Sequence, residues 1–305
     1  MRIHALCVVK NEADIIEQTL RAAASWADAI YVLDNGSHDG TWQAVQELAR
    51  ELPAVIPYKQ TLRPFEDAIR GEILSHYIER AEPEDWWCIL DADEFYVDDP
   101  REFLKPIPHR YKAVWHLQYI YLFTDDELAL YQWDPEHYHA LPVETRMRHY
   151  IVDEFSEMRF FRHRDGLTEI PVDARPVFSR RIRLKHFMYR SPEQITMRLE
   201  TRREPMERGE WLHERKENWT VGASVGHLKK GPAVAQDFEQ SWRDRVAASS
   251  DCYFDWRDGT YAAGPIWSPP TAPSSYAVLN AYARRAVRAI RRRVQPVGSD
   301  RLGTR

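Results

Sequence analysis

Trp86-Trp87-Cys88-Ile89-Leu90-Asp91-Ala92-Asp93-Glu94-Phe95 runs an apolar segment of strand length straight into three carboxylates, closed by an aromatic ring. Aromatic and β-branched residues without polar alternation suit a strand buried on both faces, as in a parallel sheet. Open α/β sheets bind ligands just outside the carboxyl ends of such strands. Carboxylates placed there suit a nucleoside diphosphate, which meets protein anions only through a divalent cation. One or two carboxylates plus substrate phosphates are the usual cage for Mg²⁺. Asp93 lies past the strand end and is the first candidate for a metal ligand. Asp91 is the candidate for a ribose hydroxyl or a metal-bound water, and Glu94 for a place behind them. An acidic turn of this kind is also common as plain solvated surface, so its meaning rests on its neighbours.

Working outward, Ile3 to Val9 predicts a first buried strand ending at Lys10-Asn11-Glu12. Ala13 to Ala24 carries helical periodicity through Ile15, Ile16, Leu20 and Ala23. A second strand, Ala29 to Leu33, ends in Asp34-Asn35-Gly36-Ser37-His38-Asp39-Gly40, a tight turn in which Asp34 can accept from a base N–H or a ribose hydroxyl. Thr41 is expected to cap the helix from Trp42 to Arg50. Val55 to Tyr58 is a short third strand, and Phe65 to Arg80 a helix that Pro83 closes. Strand and helix in alternation predict an α/β fold: a doubly wound, mostly parallel sheet with helices on both faces.

After Pro100 the character changes. Tyr111 to Leu122 is a long β-like run, and Phe123 to Arg164 is rich in His, Arg, acids and aromatics with few helical signals. Ile182 to Phe187 predicts another strand. Ser191, Pro192 and Gln194 then form a helix start, with Gln194 completing a capping box, and the helix runs to about Arg208. The expected division is a main domain over 1–263 (a nucleotide half, 1–100, and an acceptor half, 101–263), a proline-rich linker over 264–275, and a tail over 276–305.

The 305 residues are 44% hydrophobic and 29% charged, with room for a sizeable core. A net charge of −5 argues against a nucleic-acid binder. Cys7, Cys88 and Cys252 are three in number and widely spaced, which favours a reduced, cytoplasmic setting over a disulfide framework. No apolar run approaches membrane-span length, and the N-terminus lacks a signal-peptide pattern.

Taken together, Val9-Lys10-Asn11-Glu12, Asp34-Asn35-Gly36-Ser37-His38-Asp39-Gly40-Thr41 and Asp91-Ala92-Asp93-Glu94-Phe95 resemble the family-2 glycosyltransferases of the GT-A fold. The similarity is to a bacterial branch with Lys-Asn-Glu and Asp-Ala-Asp-Glu-Phe motifs. The resemblance implies transfer of a sugar from a nucleoside diphosphate donor, with Mn²⁺ or Mg²⁺ as cofactor. It places Lys10, Asn11 and Glu12 near the base, Asp34 on uracil or ribose, Arg70 facing the donor, and Asp91 and Asp93 at the diphosphate and its cation. Many members have a second acid where this chain has Asn35, a departure that bears on the nucleotide contact. It also implies a carbohydrate or lipid-linked acceptor, of the kind used in bacterial surface polysaccharide assembly.

An inverting transfer needs a carboxylate to take the acceptor's proton. Asp153, Glu154 and Glu157 precede an aromatic strand-like run, with Glu157 the first candidate base and Glu154 the second. His186 ends a strand and is the candidate third metal ligand, with His149 and His163 as rivals. A nucleotidyltransferase would also bind nucleotide and metal here, but the turn after its first strand is usually glycine-rich and cationic, whereas Lys-Asn-Glu-Ala-Asp is acidic and glycine-free. A catalytically silent carbohydrate-binding protein of the same fold is the other alternative. Finally, Tyr276 to Val294 predicts a basic amphipathic helix, suited equally to packing on the domain or to peripheral contact with an anionic membrane at its inner face.

Overall fold

A computed structural model of the chain describes residues 1–63, 68–153, 156–172, 174–207, 252–255 and 265–267. Glu154, the start of the helix expected from Phe65, and the amphipathic tail over 276–294 lie outside the described residues.

The first half alternates as the apolar runs dictate: β1 (Ile3–Val9), α1 (Ile16–Ala24), β2 (Ala29–Asp34), α2 (Thr41–Glu51), β3 (Val55–Gln60), α3 (Ala68–Tyr77) and β4 (Trp86–Leu90). β1 lies between β2 and β4 and runs parallel to both, and β3 extends the parallel set beyond β2. Both faces of β1 are covered. Ile3, Ala5, Cys7 and Val9 pack with Ile16 and Leu20 of α1 and Val45 and Leu48 of α2. Leu6 and Val8 point the other way, into Ile69, Ile73 and Leu74 of α3. This explains why the strand shows no polar alternation. The chain leaves β1 towards β2 on one side and returns through α3 to β4 on the other. The crevice at this reversal opens at the carboxyl ends of β1 and β4, where doubly wound sheets bind ligands.

The second half continues the same sheet with antiparallel strands. After β5 (Glu94–Tyr96), α4 (Pro100–Leu104) and β6 (Ala113–Tyr121) come three short helices: α5 (Asp125–Trp133), α6 (Pro135–Ala140) and α7 (Val143–Arg146). They fall in the stretch expected to hold few helices. The signals were local: Thr124 and Glu127 form a reciprocal capping box, and Asp134 caps α6 with Pro135 at its first position. β7 (His149–Asp153), β8 (Met158–Arg162), β9 (Ile182–His186) and α8 (Pro192–Glu207) follow. β8 inserts between β4 and β6, antiparallel to both, so the segments before and after residue 100 share one sheet. β9 runs parallel to β6 and pairs antiparallel with β5, which sets Glu94 opposite His186.

Two short segments from the C-terminal third anchor here. β10 (Cys252–Phe254) adds to β7 at the sheet edge. Residues 265–267, expected to open a linker, are instead docked: Ile266 is fully buried and its carbonyl accepts from Arg183. Asp255 joins the two segments, accepting from Trp267 Nε1 (3.1 Å), Tyr121 Oη (2.6 Å) and Lys185 Nζ (3.0 Å). No helix among the described residues is long and apolar enough to cross a membrane.

Candidate active site

Three loops meet at the crevice. After β1, Asn11 adopts a left-handed backbone (φ 55°), which asparagine tolerates better than most residues. Its amide N–H donates to Ser37 Oγ (2.8 Å), its Oδ1 accepts from the His38 N–H (3.1 Å), and its Nδ2 donates to Thr201 Oγ1 of α8 (3.0 Å). Lys10 beside it is partly exposed. Thr41 does not cap α2. Its hydroxyl accepts from the Glu12 N–H (2.8 Å) and donates to Asp39 (2.6 Å), so it ties the first loop to the second.

After β2, Asp34 is fully buried. Its Oδ1 accepts from the N–H groups of Gly36 (2.9 Å) and Ser37 (2.8 Å) and from Gln60 Nε2 (2.9 Å). Its Oδ2 has no partner among the described residues. The turn needs glycine at 36: φ is +78°, and a Cβ there would lie 2.8 Å from Leu62 Cδ2. Asn35 turns inward, its amide donating to the Arg63 carbonyl (2.7 Å) and so holding the end of β3.

After β4 comes the acidic turn. Asp91 pairs with Arg70 of α3 and with Arg159 Nη2 of β8 at 3.2 Å. Burial opposes its ionisation, but these two arginines hold its carboxyl below the usual range. Thr19 of α1 fixes the middle of the turn, its hydroxyl donating to the Ala92 carbonyl at 2.5 Å. Asp93 Oδ2 faces His186 Nε2 at 3.4 Å, with Arg198 Nη1 at 3.6 Å and Arg190 Nη1 at 4.0 Å. Burial again opposes ionisation, yet His186, Arg198 and Arg190 keep this carboxyl well below the ordinary value. Glu94 is buried against Arg159 (2.5 Å), and burial, with Asp91 and Asp93 adding and Arg159 opposing, pushes its carboxyl up to about 7. Glu157 is partly exposed just ahead of β8 and accepts from Arg159 Nη1 at 2.9 Å. One guanidinium thus touches Asp91, Glu94 and Glu157.

A second arginine does the same for the first loop. Arg190 is fully buried; it donates to Glu12 Oε2 (2.5 Å), to both oxygens of Asp14 (2.7 Å each) and to the Phe187 carbonyl (2.7 Å). Burial raises the Glu12 carboxyl to about 7 against the pull of Arg190, while Asp14 is held below its usual value.

Asn11, Glu12, Asp34, Asp91, Asp93, Glu157 and His186 lie at the carboxyl-end side of β1, β2 and β4, with Arg70 paired to Asp91 and Lys10 on the first of these loops. The rival histidines lie elsewhere: His149 faces Asp126 and Glu127, and His163 accepts from Trp87 Nε1 at the other end of β4. Arg159, Arg190 and Arg198 were not expected. Arg159 carried one signal, a charged residue between the apolar Met158 and Phe160 of a strand. The other two carried none.

The site has donors that fit a divalent ion in part. Asp93 Oδ2 and His186 Nε2 are a carboxylate oxygen and an imidazole nitrogen close enough to share one ion. Among the described residues no cluster of three or more such ligands forms, so further positions would fall to phosphate oxygens and water, as is common for Mg²⁺.

The first half is a doubly wound sheet, and open α/β sheets of this kind place their ligands at the switch point. The chain belongs to glycosyl transferase family 2, whose model matches residues 6–167, over half its length. No curated protein matches it significantly. Among solved structures it is similar to a mannosyltransferase of Pyrobaculum calidifontis in complex with GDP-Man and Mn²⁺ (20% identity, 43% of this chain and 37% of that one, TM-score 0.29). It is also similar to TarS of S. aureus (19%, 40% and 36%, TM-score 0.28). A third is glucosyl-3-phosphoglycerate synthase of Mycobacterium tuberculosis with phosphoglyceric acid (17%, 53% and 56%, TM-score 0.25). The matched region spans between about a third and just over half of those chains.

Proposed function

We propose that the chain is a metal-dependent, inverting glycosyltransferase that moves a sugar from a nucleoside diphosphate donor to a carbohydrate or lipid-linked acceptor, in bacterial surface polysaccharide assembly. The observation that carries this reading is the acidic turn Asp91–Glu94 at the switch point, with Asp93 against His186 on one side and Glu157 reachable on the other. Asp34, with Oδ1 committed and Oδ2 unmet, is the acceptor offered to a base or ribose donor. Arg70, paired with Asp91, is the basic residue facing the donor. Asp93 and His186 would hold Mn²⁺ or Mg²⁺, which when bound supplies positive charge to the leaving diphosphate. Glu157 takes the acceptor hydroxyl's proton as that oxygen bonds to the anomeric carbon from the side opposite the diphosphate. The bond to the diphosphate breaks with its electron pair leaving on the phosphate oxygen. Arg159 holds Glu157 and Asp91 at a fixed separation through the step.

The test is a thermal-shift panel of UDP, GDP, ADP, CDP and dTDP with and without Mn²⁺, followed by transfer assays with sugar esters of whichever nucleotide binds. Ligand binding raises the melting temperature by mass action, so a metal-dependent shift with one nucleotide is the expected result. No shift with any of them ends the reading. Binding without turnover over a broad acceptor panel leaves the silent carbohydrate-binding protein in its place.

A further inference from the structure

Arg146, the last residue of α7, has a side chain of 0% exposure and few partners to match. Nη1 donates to the Tyr138 carbonyl (3.2 Å), and the guanidinium carbon lies 4.8 Å from the centroid of the Tyr138 ring. Nε and Nη2 have no hydrogen-bond partner among the described residues. Asp14 Oδ2 stands 3.7 Å from Nη2, beyond hydrogen-bond reach. Asp14 turns both its oxygens to Arg190 instead, at 2.7 Å each. The two arginines differ accordingly. Burial pulls the Arg146 pKa below its ordinary value, with Tyr138 and Asp14 opposing; Asp14 and Glu12 hold that of Arg190 above it despite burial.

Nε–H and Nη2–H share one edge of the guanidinium. That edge takes both oxygens of a carboxylate or phosphate in a bidentate pair. A buried charged donor left unmet costs stability, so its presence in a folded chain calls for a reason. A buried water would accept from the fork but leave its charge unmatched, whereas an oxyanion would satisfy both. The fork lies in a corner built from the turn before α1 and from α6 and α7, elements apart from Asp34 and the turn that would meet the nucleoside. Gln18 of α1 accepts from the Val143 N–H at 2.8 Å, which ties α7 to α1. Arg190 spans from Asp14 to within 4.0 Å of Asp93 Oδ2, so the corner adjoins the crevice. Asp14 and the neighbouring His139, with side chains 21% and 40% exposed, bring solvent to it. Asp14 does not bar an anion there, because Arg190 already matches its charge.

We propose that Arg146 receives an oxyanion, phosphate or carboxylate, carried by the acceptor, so that the chain selects an anionic acceptor over a neutral one. This rests on the sugar-transfer reading given above, and Arg146 takes no part in donor binding. The stability cost of the unmet fork is then the counterpart of its use: the guanidinium is fully partnered only when acceptor is bound.

The experiment makes two measurements on the full chain and its Arg146→Met and Arg146→Lys variants. The first is calorimetric binding of a hexose 1-phosphate, a hexuronic acid and a neutral methyl hexoside, with the donor site filled by Mn²⁺ and the nucleoside diphosphate selected from the panel. The native chain should bind one of the acids about tenfold or more tightly than the neutral sugar, the scale of one charge-assisted hydrogen bond. Which acid it favours separates a phosphate-bearing from a carboxylate-bearing acceptor. Both variants should lose the preference, since lysine keeps the charge but not the fork. The second measurement is thermal stability without ligand. Asp14 stays paired with Arg190 in the variants, and replacing an under-partnered buried charge by an apolar chain is often neutral or stabilising. Arg146→Met should therefore melt at or above the native temperature. A fall of more than about 4 °C in both variants would mark a structural group and overturn the proposal. So would equal affinity of the native chain for acidic and neutral sugars, or a preference that survives in both variants. Nucleotide binding that persists in those events leaves the donor reading standing. A native chain that binds no nucleoside diphosphate overturns the donor reading instead, and the acid-against-neutral comparison on the unliganded chain still decides the role of Arg146.

Discussion

Replacing Arg190 with methionine tests the buried core of the site most directly. The guanidinium makes four short contacts, three of them to the carboxylates of Glu12 and Asp14. Removing one partner of a buried ion pair typically costs about 3–5 kcal/mol, because the other charge stays buried and unpaired. Two features reduce this. The Glu12 and Asp14 side chains keep 14% and 21% exposure, and Arg146 remains 3.7 Å from Asp14. The low end, about 3 kcal/mol, is therefore expected. In urea, with a slope near 3 kcal/mol/M for a chain of this size, the midpoint should fall by roughly 1 M with the slope unchanged. The pH dependence has a defined sign. In the native chain Asp14 is held below its usual pKa despite burial, so its contribution is present above the unfolded value and is lost as pH falls through the folded one. In the variant burial acts with its main opposing cation gone, and the two carboxyls rise and protonate more readily within the fold. The deficit should then be smaller at pH 5 than at pH 8. A midpoint shift below about 0.3 M, or the same deficit at both pH values, would refute the reasoning, since the slope makes that shift worth under 1 kcal/mol.

Asp93→Asn should abolish transfer and remove the Mn²⁺-dependent part of nucleotide affinity while the melting curve stays cooperative; metal-dependent binding that survives would move the ligand role elsewhere. Glu157→Gln should keep donor binding and lose roughly 10²–10⁴-fold in turnover, the usual effect of removing a general base. Near-normal turnover in that variant would pass the role to Glu154 or Asp153.

The parallel half was legible because its physics is local. Each of β1, β2 and β4 is an apolar run with both faces buried, and each ends in residues that a strand cannot continue: Asn11 in the left-handed region, Gly36 at positive φ, and the Asp91–Glu94 turn. The acidic turn of the candidate site stood out for the same reason, since Asp91, Asp93 and Glu94 sit next to one another in sequence. The arginines did not. An arginine is rarely buried unless paired, so Arg159, Arg190 and Arg198 read as ordinary surface charge until their partners are known. Those partners lie far away: Arg159 meets Glu94 across 65 residues, and Arg190 meets Glu12 across 178. Thr41 shows the same limit at short range. Its place before a helix predicted a cap, but the first loop offered its hydroxyl a donor from Glu12. The helices α5 and α6 failed for a different reason: their signals, Thr124 with Glu127 and Asp134 with Pro135, were present and were outweighed by the aromatic and charged character of the stretch.

The distribution of charge also decides what the two halves are to one another. Glu12, Asp14, Asp91, Asp93 and Glu94 all lie before residue 100, whereas Arg159, Arg190 and Arg198 all come after it. Within the first half, Arg70 pairs with Asp91. A fragment of residues 1–100 would keep its parallel strands and lose nearly every cation that makes its buried acids tolerable. It would also expose the edge of β4, which β8 covers in the intact chain through Trp86, Trp87 and Cys88. An open, apolar edge of this kind promotes association with other chains. The halves are thus parts of one folding unit, and the fragment should show no cooperative urea transition and should aggregate at neutral pH. A soluble, monomeric fragment with a sigmoidal transition would show that the acids can be buried without the second half. In that event the arginines serve the reaction more than the fold.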